Sequence, residues 1–365
     1  FFWGGDDTAP DADGRMTERD IVDRSATLAG ADRDAVDSLT PPAPNVQPPA
    51  VLDFSRPEPV PEIEPTPTVR AEPVQPDPTV QQAVREVERA LPKPQSFKFS
   101  GGGGGGGADA ATLYNRGDRL IAEGDLIGGR SALSRLLFAP DLQLADRDAM
   151  AVRNRLNEVN AELFWSPEIT EGDPITRPYQ NGGLFLSQIG PRFRVPYQLL
   201  EIVNDLPANR LQADHVIKVV QGPLHARVIK SQFLMDLYAL DPQGRPVYIC
   251  SFPVGLGEKD KTPEGNWQVT KGSKVVNPSW RDDQNGEFFA PDDPKNPIGD
   301  YWIAIHGLDD GNKNKRGFGI HGTIDPDSIG TEASRGCIRL ADDDIELVFS
   351  MLTDHSEGST IQIVP

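Results

Sequence analysis

Only two cysteines, Cys250 and Cys337, occur in 365 residues. That excludes a disulfide framework. A single bridge is formally open, but it would consume a thiol in a glycine-flanked turn, and reactive thiols are kept unpaired. So few cysteines suit a cytosolic protein and an exported one equally. Histidine is scarce too: there are five, and none pairs with Cys or carboxylates at metal-ligand spacing. Positive charge is short, with 36 Lys and Arg against 55 Asp and Glu, for a net charge of −19. Such a surface repels phosphates, which excludes nucleic acid as a partner. Long apolar runs are missing: nothing approaches the roughly 18 residues of a membrane helix. Apolar residues make up 37% of the chain, alongside 35 glycines and 34 prolines. A substantial part is therefore expected to bury no core, and the length suits two or three small domains.

That coreless part is residues 1–108. The start at Phe1-Phe2-Trp3 rather than Met reads as the outer end of a signal or membrane anchor. Acidic clusters (Asp6-Asp7, Asp32 to Asp37) give way to a proline-rich tract from Pro41 to Pro94, which favours extended polyproline conformations. Composition of this kind cannot bury enough apolar surface to offset the ordering entropy. A disordered tether is expected, with a short helix at Thr79 to Leu91, where Val80, Val84, Val87 and Ala90 recur at helical spacing. Gly101 to Gly107 reads as its flexible hinge.

Residues 109–168 turn helical. Leu113, Leu120 and Ile121 mark a first helix, broken at Gly124-Asp125. Leu126 to Leu137 makes a second, and Asp146 to Phe164 a third with Met150, Val152, Leu156, Val159 and Leu163 on one stripe. The Tyr114-x-x-Gly117…Leu120…Gly124 pattern resembles the first helix of a tetratricopeptide hairpin, and one such unit is too few for a solenoid. Residues 176–222 read as β-α-α-β: a strand at Tyr179, helices at Leu184 to Phe193 and Pro196 to Val203, and a strand at His215 to Val220. With Leu186-Ser187-x-Ile189-Gly190 and Ile202-Val203-Asn204, this segment resembles the LysM wall-binding module. The usual Gly-Asp-Thr-Leu start is degraded to Gly182-Gly183-Leu184, which weighs on glycan binding more than on fold. Glycan strands as a partner and a plain bracing role stand level here.

From Leu224 the texture is β: His225 to Lys230, Gln232 to Leu240, Val247 to Val254 and Trp267 to Lys271. Phe233, Met235, Leu237 and Ala239 alternate as a half-buried strand does. Cys250, inside Tyr248-Ile249-Cys250-Ser251-Phe252, reads as a small core hydrophobe. The polar insert between Trp280 and Tyr301 has the character of a lid. A helix follows from Ala341-Asp342-Asp343-Asp344 to Leu352, with acids suited to its N-terminus, and Thr360 to Val364 is a last strand.

The chemistry gathers in Gly319-Ile320-His321-Gly322-Thr323 and Ser334-Arg335-Gly336-Cys337-Ile338-Arg339-Leu340. A thiol needs a base or cation to react at neutral pH, because the thiolate is the nucleophile. His321 would take its proton and later return one to a leaving amine. Amides at Arg335, Gly336 and Cys337 would converge on an oxyanion. A Cys and a His alone are weak evidence.

The full spacing resembles the signature of the L,D-transpeptidase catalytic domain. Thr262-Pro263-Glu264-Gly265 and Asn296-Pro297-Ile298-Gly299 agree with it in order, so the resemblance covers 224–365. It implies a mostly β, β-sandwich-like domain with a C-terminal helix and no metal or organic cofactor. It implies peptidoglycan stem peptides as substrates: Cys337 takes the tetrapeptide stem as a thioester, and a second stem's amine makes a 3→3 cross-link. Carried over by motif, Cys337 is the nucleophile, His321 the base and the Gly322 carbonyl its orienting partner. Ser334 steadies the turn. Arg339 binds a substrate carboxylate or makes a structural salt bridge, both uses being open to arginine. Arg335 stands where many members have histidine, and a cation there would lower the thiol's pKa. Ile305-His306-Gly307 mimics Ile320-His321-Gly322, but the cysteine turn follows His321 at the family's spacing. His306 is left to line the cleft or to pack, and His215, His225 and His355 to be strand or loop residues. The implied place of work is outside the cytoplasm, in the periplasm or cell wall. Two rivals are an L,D-carboxypeptidase using water as acceptor and a non-catalytic peptidoglycan-binding protein.

Overall fold

In the computed structural model, the described residues are 107–365 without 143, 283 and 356–357. The expected tether, its Thr79 to Leu91 helix and most of its glycine hinge lie outside them. Three helices come first: α1 (Gly107–Ala122), α2 (Leu126–Phe138) and α3 (Asp146–Leu163). Asp125 starts α2 by accepting the Gly128 amide at 2.8 Å, the N-cap role for which Asp is suited. Val152, Leu156, Val159 and Leu163 are buried along α3, as their 3.6-residue spacing requires.

Next come β1 (Thr176–Gln180), α4 (Leu186–Ile189), α5 (Tyr197–Asn204) and β2 (Val216–Val220), with β1 and β2 antiparallel. This segment has no core of its own. Leu199, Leu200, Val203 and Val219 join one buried cluster that continues to Ile361 and Ile363 at the other end of the sequence. Lys218 on β2 is fully buried and donates to the carbonyls of Leu163 and Ser166 at 3.0 and 2.6 Å, capping the end of α3. Burial pulls its pKa down to about 8.

The rest is β3 (His225–Ile229), β4 (Leu234–Leu240), β5 (Pro246–Pro253), β6 (Leu256–Gly257), β7 (Gly265–Val276), β8 (Trp280–Arg281), β9 (Phe288–Phe289), β10 (Tyr301–Gly307), β11 (Gly319–His321), β12 (Glu332–Ser334), β13 (Ile338–Arg339), α6 (Asp342–Met351) and β14 (Thr360–Val364). The β-sandwich-like expectation is corrected to one mixed eight-stranded sheet in the order β13-β11-β10-β7-β14-β3-β4-β5. The last strand in sequence lies inside the sheet, parallel to β3 and antiparallel to β7.

Strand β4 was expected to be half-buried, and it is buried on both faces. Met235 and Leu237 face the main core, while Asp236 on the other face is also fully buried. Arg153 of α3 grips it with two bonds of 2.8 and 2.9 Å, and Arg227 and Ser251 add bonds of 3.0 and 2.7 Å. The helices are the reason: they cover this face and also the sheet's edge. β5 is the edge strand, and its Tyr248 amide donates to Ser134 Oγ at 3.1 Å. Asn160 Nδ2 donates to the carbonyls of Tyr248 and Ile249 at 2.8 and 3.0 Å. Unpaired edge groups template aggregation unless covered.

Candidate active site

The site lies at the opposite edge, on β10, β11 and β13. β11 and β13 run parallel, with Ile320 beside Ile338 and His321 beside Arg339. Ile320 and Ile338 are buried, so that face is core. Side chains alternate along a strand, so His321 and Arg339 share the other face. Cys337, just before β13, stands level with Gly319. His321 ends one parallel strand and Cys337 precedes the next, and the shortness of both strands makes them diagonal neighbours.

His321 is 4% exposed. Its Nδ1 lies 2.6 Å from the Gly322 carbonyl. A carbonyl only accepts, so Nδ1 carries the proton and Nε2 is left as the base. Trp302, its cross-strand partner, stacks on the imidazole at 5.7 Å and 22°. Burial pushes the imidazole down to about 4, the Gly322 carbonyl pulls upward, and Arg339 adds to the depression. The ring is therefore neutral at pH 7. Sequence reasoning missed Trp302; its only signal was an aromatic at the head of the Tyr301–Gly307 strand.

The cysteine turn is pinned from several sides. Ser334 Oγ donates to the Cys337 carbonyl at 2.6 Å and accepts the Gly336 amide at 3.0 Å. Thr262 Oγ1 donates to the Gly336 carbonyl at 3.0 Å and accepts the Gly257 amide at 2.7 Å. That gives Thr262, seen in sequence only as a motif letter, a physical role. Gly336 has φ +134, and a Cβ there would sit 2.8 Å from Phe318 and 2.9 Å from the Lys261 carbonyl. Only glycine meets both demands.

Two expectations are corrected here. The Gly336 amide does not point at an oxyanion, because Ser334 holds it. The Cys337 amide has no hydrogen-bond acceptor among the described residues. The Arg335 guanidinium also does not serve the thiol: it turns outward to Asp282 through bonds of 2.9 and 2.9 Å. Asp282 belongs to the β8–β9 hairpin, so the insert once read as a lid is clasped to the cysteine turn. The thiol's pKa is raised, not lowered: burial outweighs the Gly319 amide and Arg339. The thiol itself contacts the Gly317 carbonyl at 3.6 Å. It makes no hydrogen bond to His321; catalytic contacts often tighten only around substrate.

Arg339 is the cation of the site. Its Nε is buried with no hydrogen-bond partner among the described residues, and no ion pair holds the side chain there. His306 pairs with Thr270 Oγ1 at 3.1 Å, four residues along β10 from Trp302. Cys250 is fully buried, and both cysteines are free thiols. Among the described residues no His, Cys, Asp and Glu cluster is arranged for a metal.

Residues 226–363 match the family model of the L,D-transpeptidase catalytic domain, YkuD. "Probable L,D-transpeptidase ErfK/SrfK" of Escherichia coli (strain K12) is 30% identical over 192 residues, 50% of this chain and 51% of that protein. YqjB of Bacillus subtilis (strain 168) is 38% identical over 102 residues, 28% of this chain and 53% of that protein. YkuD of the same strain is 33% identical over 109 residues, 29% of this chain and 60% of that protein. All three carry L,D-transpeptidase in their names. The chain spans about half the length of the first two of these relatives. The matched segment holds the whole Cys337–His321 constellation, so the likeness of residues 226–363 to the L,D-transpeptidase catalytic domain takes in the candidate site.

Proposed function

We propose that the chain is a peptidoglycan L,D-transpeptidase that works through a Cys337 acyl-enzyme. Cys337 Sγ attacks the carbonyl carbon of the diamino acid at position three of a tetrapeptide stem, and its proton passes to His321 Nε2. The oxyanion is taken by the Cys337 amide, a donor with no other acceptor in the described structure. Collapse breaks the bond to D-Ala, which leaves with the proton from His321. The amine of a second stem then attacks the thioester, gives its proton to His321 and releases the thiolate, which completes a 3→3 cross-link. Arg339, with its unpartnered buried Nε, is the group that binds a stem carboxylate.

The observation that carries this reading is His321 itself: neutral, buried, its Nδ1 fixed on Gly322 at 2.6 Å, on the same strand face as Arg339 and beside Cys337. Intact mass after incubation with a carbapenem or a tetrapeptide stem tests it. An adduct mapping to Cys337, lost in Cys337→Ala with the fold intact, is expected. A Cys337→Ala protein that still exchanges stem peptides would refute the assignment. Product analysis with and without an amine acceptor separates cross-linking from L,D-carboxypeptidase action on the same thioester.

We assign residues 1–108 as tether, 109–168 as helical module, 176–222 as a LysM-like module and 224–365 as catalytic domain, acting outside the cytoplasmic membrane. The LysM-like segment is inferred to be chiefly a brace, a reading supported by the core it shares with the catalytic sheet. Pull-down on purified sacculi tests any glycan-strand binding by it.

A further inference from the structure

Trp302 touches the base but takes no part in moving its proton. β11 lies one strand in from the edge of the sheet, and His321 is on its cleft face. Such a place is open to water in a bare sheet, yet His321 is only 4% exposed. The indole of Trp302, directly across from it on β10, stacks on the imidazole at 5.7 Å and 22°. Gly319 shows how the indole is seated. Residues alternate along a strand, so Gly319 shares the cleft face with His321. A Cβ on Gly319 would lie 2.5 Å from Trp302 Cη2 and 2.6 Å from Cζ2. The far ring of the indole therefore fills the space that a side chain at 319 would take. Gly319 is also level with Cys337 across the parallel pairing. One rigid plate thus reaches from the face of the base to the strand level of the nucleophile.

We propose that Trp302 is a positioning residue of the site, a plate seated on Gly319 that fixes the imidazole of His321 and keeps water off it. Two anchors then hold the ring. The Gly322 carbonyl takes Nδ1 at 2.6 Å and sets the tautomer, while the indole sets the plane in which Nε2 is presented. A base held in one orientation needs no reorganisation before proton transfer, and small misplacements of reacting groups are costly. Excluding water also disfavours the charged ring. The charged and titratable groups around the imidazole are Arg339 and Cys337 from the β13 side and Asp342 of α6. The Asp342 Oδ1 lies 3.1 Å from where a Cβ on Gly322 would be. His306 stands farther along β10, bonded to Thr270. With these groups left in place, removing the plate should act through water alone.

The proposal rests on the Cys337–His321 reading, and the test separates the two. His321 is titrated by NMR in the full chain, its signal assigned by loss in His321→Asn. Carbapenem acylation of Cys337 is timed by intact mass at pH 5 and pH 8. Trp302→Leu removes the plate. Gly319→Ala displaces it by a methyl group and leaves both rings in the sequence, so it carries the test if Trp302→Leu melts too low. Each is expected to raise the His321 midpoint from about 4 to about 6, toward the free value of about 6.5. Acylation at pH 5 should then fall about tenfold below each variant's own rate at pH 8, while the wild type changes little. Trp302→Phe, which keeps a ring on the imidazole, should titrate near wild type. A midpoint that stays near 4 in both Trp302→Leu and Gly319→Ala would overturn the plate and leave the pair standing. If His321→Asn is acylated as fast as wild type, the pair falls, and the catalytic use of the plate with it.

Discussion

His321 and Cys337 rest as a neutral pair, each held uncharged by burial. The imidazole must be neutral to accept the thiol proton, so acylation by a stem peptide is expected to fall only as the pH drops toward about 4. A pH–rate profile checks this; an acid limb near the free-histidine value of about 6.5 would show a solvated ring. The same depression has a stability consequence. A histidine titrating at about 4 in the folded chain and about 6.5 unfolded binds more protons when unfolded between those values, so stability rises with pH across that window. His225 adds to it, because burial and then Arg194 also lower it to about 4. Its Nδ1 accepts the Thr360 amide at 3.2 Å and sits 2.7 Å from the Thr360 hydroxyl, contacts that a proton there would break. Melting temperature is therefore expected to drop between pH 7 and pH 4.5, and less steeply in His225→Asn; equal slopes would remove His225 from the account. At this scale Cys337, His321 and Gly322 were legible, since they lie in two short strings of fixed spacing. Trp302 and Asp282 were not, because each meets the site across a sheet or loop contact that sequence spacing does not encode.

The elements were legible where one face alone is buried. The stripe of α3 gave its kind directly, and Trp267 to Lys271 read as a strand, although β7 extends well past Lys271 to Val276. β4 misled because its polar-looking face is covered by α3, where Asp236 is met by Arg153. Breaking a buried pair on one side leaves an uncompensated charge, so Arg153→Met is expected to cost about 3–5 kcal/mol in urea unfolding. A loss below about 1 kcal/mol would mean the pair behaves as a surface contact. The β8–β9 hairpin makes the contrasting case. Its tie to the cysteine turn, Asp282 to Arg335, is partly exposed. Asp282→Asn should leave the melting temperature in place while amide exchange rises across residues 280–289. Unchanged exchange there would show that the clasp does not order the hairpin.

For the whole molecule, the helices and the βααβ segment are structural parts of the catalytic sheet. A chain starting at residue 224 would bare the β5 edge and strip Asp236 of Arg153. It is expected to aggregate in light scattering where residues 107–365 stay dispersed; a monomeric, active 224–365 would show those segments to be dispensable. The place of β14 adds a matter of timing. Residues 360–364 join the strands that carry the thiol and its base to the strands that carry the braces. Until those five residues are in place, the sheet is two unjoined halves. During synthesis the nucleophile is made before the strand that completes its scaffold, so the site can form only once residues 360–364 have emerged. An unfinished chain would carry Cys337 without a working site around it.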